Sequence, residues 1–144
     1  MTDPKSGQPQ APENQNDEDA IAFAQGIFEL ARKGGKPMLE PLLEAGVPVD
    51  LRTSDGESLL FLASAEGHTE VVQMLLIRGA DPELADHQQR TPLMVAAMHD
   101  HEEVVDRLLG AGADASARDR QGQTALTLAE AAGADRARQA LTSA

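Results

Sequence analysis

Residues 58–81, SLLFLASAEGHTEVVQMLLIRGAD, decide the fold, because their pattern recurs along the chain at a fixed interval. A shift of 33 residues brings Ser58, Thr91 and Thr124 into one column, and the leucines, alanines and glycines around them align in the same register. Apolar residues recur at helical spacing on both sides of a central glycine, which predicts two short antiparallel helices joined by a turn. A fixed period of this length is typical of stacked repeats rather than of one enclosed core.

Composition restricts the classes of function. The 144 residues suit a single domain, and 24 acidic residues against 12 lysines and arginines give a formal charge of −12. This charge argues against nucleic acid and anionic membranes as partners, because both require a basic face. The chain has no cysteine, which excludes disulfides, thiolate catalysis and cysteine zinc sites. Three phenylalanines without tryptophan or tyrosine cannot line a large aromatic pocket, so no cofactor is expected.

The N-terminal segment differs in composition from the rest. Residues 1–16 hold three prolines with several glutamines and asparagines, which predicts a disordered tail. The first residues contain no apolar segment of the kind found in signal peptides. No apolar run in the chain approaches the roughly 20 residues of a membrane span. We therefore expect a cytoplasmic protein that does not enter a membrane.

The remaining residues, 17–144, are predicted to form one all-α domain of four helix–turn–helix repeats. Two full central repeats lie between an N-terminal and a C-terminal capping repeat, with approximate bounds 17–52, 53–85, 86–118 and 119–144. Asn16 or Asp17 is the predicted N-cap of the first helix. Pro41 lies deep in the second helix, which predicts that this helix is short or begins late, because proline removes a backbone hydrogen bond. The last repeat has polar residues at positions that are apolar in the preceding repeats, because the outer face of a terminal repeat contacts water.

The aligned segments resemble the ankyrin repeat. The resemblance covers about residues 20–144 and rests on recurring motifs: Thr91-Pro92-Leu93, Gly67-His68-x-Glu70-Val71-Val72, Gly79-Ala80-Asp81 and Asp119-x-x-Gly122-x-Thr124-Ala125-Leu126. It implies helical hairpins stacked into a slightly curved slab, with loops or β-hairpins projecting at right angles. It also implies a protein-binding function, carried by the loop tips and by the concave face of the first helices.

Two departures from the family pattern bear on stability. The histidine that usually follows Thr-Pro-Leu is replaced by Phe61, Met94 and Thr127, so the inter-repeat hydrogen bonds of that histidine are expected to be absent. Gln89 stands where the neighbouring loops carry glycine, so this loop must avoid or tolerate a positive φ without glycine. Both departures predict a stack of modest stability.

A finer resemblance is to the short ankyrin proteins of bacteria. It rests on the length, on the Ala/Glu/Arg-rich composition and on the phrase Leu43-Glu-Ala-Gly-Val-Pro-Val-Asp50. Some members of that group act as accessory factors for haem catalases. The resemblance therefore leaves an alternative role open, in which the protein assists a specific enzyme such as a haem catalase by haem delivery or assembly.

No residue pattern supports catalysis or metal binding. His99 and His101 are two residues apart, so on a helix they point in different directions, whereas paired metal ligands are spaced by three or four. Adjacent carboxylates such as Glu102 and Glu103 are expected as partners of the helix dipole. The serines lack a Gly-x-Ser-x-Gly setting, and no glycine-rich phosphate loop follows a strand. The sequence predicts that the protein is not an enzyme and has no catalytic, cofactor-binding or metal-binding residue.

The positions that contact partners in the ankyrin family predict the binding surface. On this resemblance the protein-binding residues are Arg52, Asp55, Glu57, Glu66, His87, Gln88, Arg90, Met98, His99, Arg118, Arg120 and Gln123. Arginine is frequent among them in a strongly acidic chain, and its planar guanidinium suits interfaces. We therefore expect a groove more basic than the rest of the molecule. The expected partner is another protein, whose identity stays open, and the expected state is a monomer.

Overall fold

The structure, a computed structural model, describes residues 15–143, so residues 1–14 of the predicted tail lie outside the described part. Eight helices follow one another: α1 (Gln15–Lys33), α2 (Lys36–Glu44), α3 (Leu59–Glu66), α4 (Thr69–Ile77), α5 (Pro92–Met98), α6 (Glu102–Gly110), α7 (Ala125–Ala132) and α8 (Asp135–Ser143). Between residues 15 and 143 there is no strand, only an isolated antiparallel bridge between Arg52 and Ser58. The predicted all-α architecture of four helical hairpins is confirmed.

The helices form two rows. The first helices of the hairpins contact one another in order, α1 with α3, α3 with α5 and α5 with α7. The second helices do the same, α2 with α4, α4 with α6 and α6 with α8, and each hairpin's two helices also contact each other. Each repeat therefore packs mainly on its neighbours in sequence, which is the packing of a solenoid.

A side-chain hydroxyl begins each of the first helices α3, α5 and α7. Ser58 Oγ accepts a hydrogen bond from the amide three residues later at 3.0 Å. Thr91 Oγ1 and Thr124 Oγ1 make the same bond at 3.3 Å. Such an N-cap satisfies an otherwise unpaired amide and contributes about 0.5–2 kcal/mol. The recurring Ser/Thr column of the sequence therefore marks the N-caps of α3, α5 and α7.

One apolar core runs through the stack. Ala63, Ala96 and Ala129 occupy equivalent places in the first helices and are fully buried, so their small side chains let neighbouring helices approach closely. Leu75 and Leu108 hold equivalent places in the second helices and are also fully buried. Burial of each leucine stabilises the fold by about 1.5–3 kcal/mol. The repeating apolar columns of the sequence are thus the repeating layers of the core.

Ser64 interrupts this apolar packing in α3. Its side chain is fully buried, and its Oγ has no hydrogen-bond partner within residues 15–143. The equivalent residues of the neighbouring repeats are Ala31 and Ala97, and both are buried. An unsatisfied buried hydroxyl costs about 1–3 kcal/mol. The site is shaped for alanine, and the hydroxyl lowers stability there.

The first helix begins earlier than predicted. Asn16 and Asp17, the predicted N-cap positions, lie inside α1, which begins at Gln15. Asp17 still lies in the first turn, where the positive end of the helix dipole favours a carboxylate. In the register of the other repeats, α1 would begin at residue 26, because α3 begins at Leu59 and the period is 33. Residues 15–25 therefore add about three turns before the first repeat.

The prediction that Pro41 shortens or delays α2 is wrong. The helix runs over nine residues from Lys36, the same length as α4. The amide that Pro41 lacks would have reached the carbonyl four residues earlier, so one hydrogen bond is lost, and the Ala45 amide bonds to the Pro41 carbonyl oxygen at 2.9 Å. Pro41 lies on the exposed side, while Leu39 and Leu43 are buried. Their burial outweighs the missing bond.

The turns inside the first two hairpins are each closed by a contact with the next repeat. Gly34 and Gly67 adopt left-handed φ angles of 79° and 76°. A Cβ at these glycines would lie 2.7 Å and 2.6 Å from the Nδ1 atoms of His68 and His101 in the next repeat. Nε2 of the two histidines hydrogen-bonds to carbonyl oxygens of the preceding first helix, at 2.6 Å for His68 and 3.0 Å for His101. The ring of each histidine therefore fits only because the residue that it contacts in the preceding repeat is glycine.

The interface between the third and fourth repeats, called the third interface below, has a different pair of residues in place of the glycine and the histidine. Asp100 stands in the glycine column with φ 60°, and Ala134 stands in the histidine column. Asp100 Oδ1 accepts the Ala137 amide in the first turn of α8 at 2.8 Å. The small side chain of Ala134 leaves space for the aspartate, which then caps the next helix. Inter-repeat hydrogen bonds therefore form without the family histidine that Phe61, Met94 and Thr127 replace; the expectation of modest overall stability stays a prediction.

Candidate protein-binding surface

Each loop between repeats is folded by its first side chain. Oδ1 of Asp86 and of Asp119 accepts the amides two and four residues later, at 2.9–3.0 Å. Thr53 Oγ1 makes the same pair of contacts in the first loop at 3.2 Å. The acceptor at the base fixes the backbone of the tip, so the tip side chains project from a defined turn.

The three loops are joined into one row. The His87 amide donates to the Asp55 carbonyl oxygen, and the Arg120 amide donates to the Gln88 carbonyl oxygen, both at 3.1 Å. The His87 ring also packs on the first loop, because a Cβ at Gly56 would lie 2.8 Å from its Cδ2. Since each tip is bonded to the next, the row presents its side chains at a fixed spacing.

The second loop tolerates a left-handed residue, one of the two outcomes that the sequence left open. Gln89 has φ 64°, where the equivalent Gly56 and Gly122 have 84° and 78°. The Asp86 side chain and the bonds to both neighbouring loops hold the tip in place. The loop therefore keeps the conformation of its neighbours at a local cost of roughly 1–2 kcal/mol.

Three of the four arginines of the predicted surface, Arg52, Arg118 and Arg120, differ in their contacts. Arg52 donates from Nε to the Gly56 carbonyl oxygen at 3.1 Å and from Nη2 to the Ala85 carbonyl oxygen at 2.8 Å. Arg118 donates to the carbonyl oxygen of Gly122 at 2.8 Å. These two guanidinium groups support the loops. By contrast, the exposed side chain of Arg120 makes no hydrogen bond or ion pair with any residue between 15 and 143.

The twelve residues predicted to bind a protein are all accessible: eight are exposed and four are partly buried. Gln88, Arg90 and Arg120 line one depression of about 180 Å³, whose other walls include Asp119, 3.9 Å from the Arg90 Nε. Asp55 and Glu57 line a different cleft. The remaining predicted residues, Arg52, Glu66, His87, Met98, His99, Arg118 and Gln123, line neither cavity. A role in binding stays a prediction for all twelve.

Three of these residues lie at the C-terminal ends of the first helices α3 and α5, with His99 directly after α5. Glu66 ends α3 and is exposed, while Met98 ends α5 and packs partly against the core. His99 is exposed, with its ring centroid 6.1 Å from that of His101. Within the part of the chain that the structure describes, no group of three or more histidine or carboxylate side chains could hold a metal ion.

Sequence reasoning missed a cleft of about 620 Å³ between α1 and the first loop. Ile21, Ala24 and Phe28 of α1 line one side, and Thr53, Ser54, Asp55 and Glu57 of the loop line the other. Ile21, an apolar residue of α1, is 44% exposed. The predicted early start of α1 is the signal that could have indicated the cleft. It places a helix at positions where the other repeats have a loop.

The helices are paired and lie in two rows, and the loops between repeats form a third row. This arrangement defines a helical repeat protein. The family model of ankyrin repeats, in three copies, matches residues 27–119 and 60–143. The chain therefore belongs to the ankyrin repeat family, as the motifs predicted. None of its helices within residues 15–143 has the length and hydropathy needed to span a bilayer.

A bacterial relative supports this assignment. A protein of Pseudomonas aeruginosa whose name describes it as an ankyrin repeat protein is 42% identical over 62 residues. The match covers 43% of this chain and 36% of the relative, so the chain accounts for about a third of the length of that protein.

Proposed function

We propose that this protein is a non-catalytic interaction module that binds one partner protein through its loop tips and the exposed face of its first helices. Ankyrin repeats generally mediate protein–protein interaction. The observation that carries the proposal is the bonded row of loops, from Asp55 through His87 and Gln88 to Arg120. A surface whose backbone is already ordered loses little conformational entropy on binding, so its contacts contribute more fully to affinity.

The proposal extends to the state and location of the protein. A monomer acting in the cytoplasm, without nucleic acid as a ligand, agrees with the formal charge of −12 and the absence of cysteine. Light scattering of the purified chain tests the first point, because the mass of a monomer does not change with concentration.

Partner capture with two matched double variants tests the binding surface. The surface variant is Arg120→Glu with His99→Ala, since both side chains are exposed. The control is Arg107→Glu with Ile77→Ala on the second helices, where both residues are also exposed and the charge change is equal. We expect the wild type and the control to capture the same partner from native extract and the surface variant to lose it, with all three melting alike.

Capture by the surface variant at the wild-type level would refute the proposal, as would loss of capture by the control alone. Identification of the captured protein by mass spectrometry also decides the alternative role, because an accessory factor for a haem catalase would retain that enzyme.

A further inference from the structure

The cleft beside the first loop has an apolar wall on one side and a polar rim on the other. Ile21, Ala24 and Phe28 lie on one face of α1, and Ile21 is 44% exposed. The facing loop contributes Asp55 and Glu57 to the rim. Ile21 and Ala24 belong to the three added turns of α1, and the equivalent stretch of the other repeats is loop. This end of the surface can therefore bury an apolar side chain.

The charge of the cleft is negative. Its lining includes the carboxylates of Glu29, Asp55 and Glu57 and a single cation, Arg32. Arg32 is already paired with Glu29 at 2.9 Å, and this hydrogen bond holds the pKa of Glu29 below its ordinary value. The Asp55 and Glu57 carboxylates have no cationic partner within residues 15–143. Two carboxylates at the rim thus remain available to a positive ligand.

The opposite end of the row has different chemistry. The depression at the last two loops is lined by Arg90 and Arg120 against one carboxylate, Asp119. A ligand that spans the row therefore meets mainly carboxylates at the first loop and mainly arginines at the last two loops. Charge complementarity of this kind selects the orientation of a bound segment and raises its association rate.

We propose that the cleft between α1 and the first loop binds a basic amphipathic segment of the partner protein. One bulky apolar side chain fills the space against Ile21, Ala24 and Phe28, and a neighbouring lysine or arginine pairs with Asp55 or Glu57. This assignment rests on the proposed function and specifies the chemistry of the partner at one end of the surface. Repulsion by the Asp55 and Glu57 carboxylates, which have no cationic partner within residues 15–143, and by the overall charge of −12 disfavours an acidic segment at this end.

Fluorescence anisotropy with three labelled peptides tests the cleft on the full chain. The first peptide arranges leucine and lysine as one amphipathic helix. The second replaces every lysine by glutamate, and the third replaces every leucine by serine. We expect the first to bind, more weakly at high salt, and the other two to bind at least tenfold more weakly. Absence of binding by the leucine–lysine peptide, or equal binding of the glutamate peptide, would overturn the inference.

Variants separate the cleft from general attraction to an acidic protein. Ile21→Ser, and separately Asp55→Asn with Glu57→Gln, should each weaken the leucine–lysine peptide at least tenfold. Ile77→Ser, and separately Glu103→Gln with Asp106→Asn, make the same chemical changes at exposed positions on the second helices and should leave the affinity within twofold. Circular dichroism verifies that each variant is folded. Equal losses in the cleft and control variants would refute a defined site.

Failure of this inference is distinguishable from failure of the proposed function. If Ile21→Ser leaves partner capture intact while Arg120→Glu with His99→Ala abolishes it, the surface binds a protein and the cleft assignment is wrong. If neither variant affects capture, the proposed binding surface itself is wrong.

Discussion

The glycine–histidine contact between repeats predicts that Gly67→Asp is destabilising but can be rescued. An aspartate at φ 76° loses roughly 1–2 kcal/mol in the left-handed region. Its Cβ would lie 2.6 Å from His101 Nδ1, so the ring must move and lose its 3.0 Å bond to the Ala65 carbonyl oxygen. Such a bond contributes about 0.5–1.5 kcal/mol. The single variant should therefore lose about 1.5–3.5 kcal/mol of unfolding free energy.

The rescue is the double variant Gly67→Asp with His101→Ala. It reproduces the pair Asp100 and Ala134 of the third interface, in which the carboxylate caps the next helix at 2.8 Å. His101→Ala alone should cost about 1 kcal/mol for the lost hydrogen bond. Because the new carboxylate fits only when the ring is absent, the double variant should be more stable than the sum of the single variants by at least about 1 kcal/mol.

Urea denaturation followed by far-ultraviolet circular dichroism measures all four proteins of this cycle. Independent sites are additive within about 0.3–0.5 kcal/mol, so a coupling free energy inside that range would refute the reasoning. The reverse exchange, Asp100→Gly with Ala134→His, is the matched control. This double variant should form the glycine–histidine pair found at the first two interfaces. Ala134→His alone should be less stable than the double variant.

Three further predictions concern stability. Ser64→Ala should raise the unfolding free energy by about 1–2 kcal/mol, because it removes an unpaired buried hydroxyl and reproduces Ala97 of the next repeat; a lower urea midpoint would contradict this. Arg52→Ala should cost about 1 kcal/mol through its two carbonyl contacts, whereas Arg120→Ala should change stability by less than about 0.5 kcal/mol, and equal effects in thermal melts would show that the loop bonds contribute nothing. Gln89→Gly should stabilise by up to about 1 kcal/mol, since relief of the left-handed residue exceeds the added chain entropy; calorimetric destabilisation beyond about 0.5 kcal/mol would contradict it.

Local pattern predicted much of the fold. The Ser58, Thr91 and Thr124 column marked the helix starts, because an N-cap acts within four residues of itself. Local pattern failed at Pro41, where the burial of Leu39 and Leu43 outweighs the one hydrogen bond that proline removes.

The candidate surface was predictable only in part. The family columns selected residues that are all accessible, since a loop tip is exposed wherever the stack is formed. They could not separate Arg52 and Arg118, whose guanidinium groups support loops, from Arg120, because hydrogen-bond partners in neighbouring loops are set by how the repeats stack.

The sequence by itself determined the repeat, its period and the hairpin that each copy forms, because helix caps, glycine turns and apolar spacing act over a few residues. Only the tertiary structure decided that the added turns of α1 lie beside the first loop and form an acidic, partly apolar cleft with it. The same holds for the exchange of Gly67 and His101 for Asp100 and Ala134, which is visible only when consecutive repeats are in contact. These features depend on distances between side chains about 33 residues apart, and such distances exist only once the repeats are stacked.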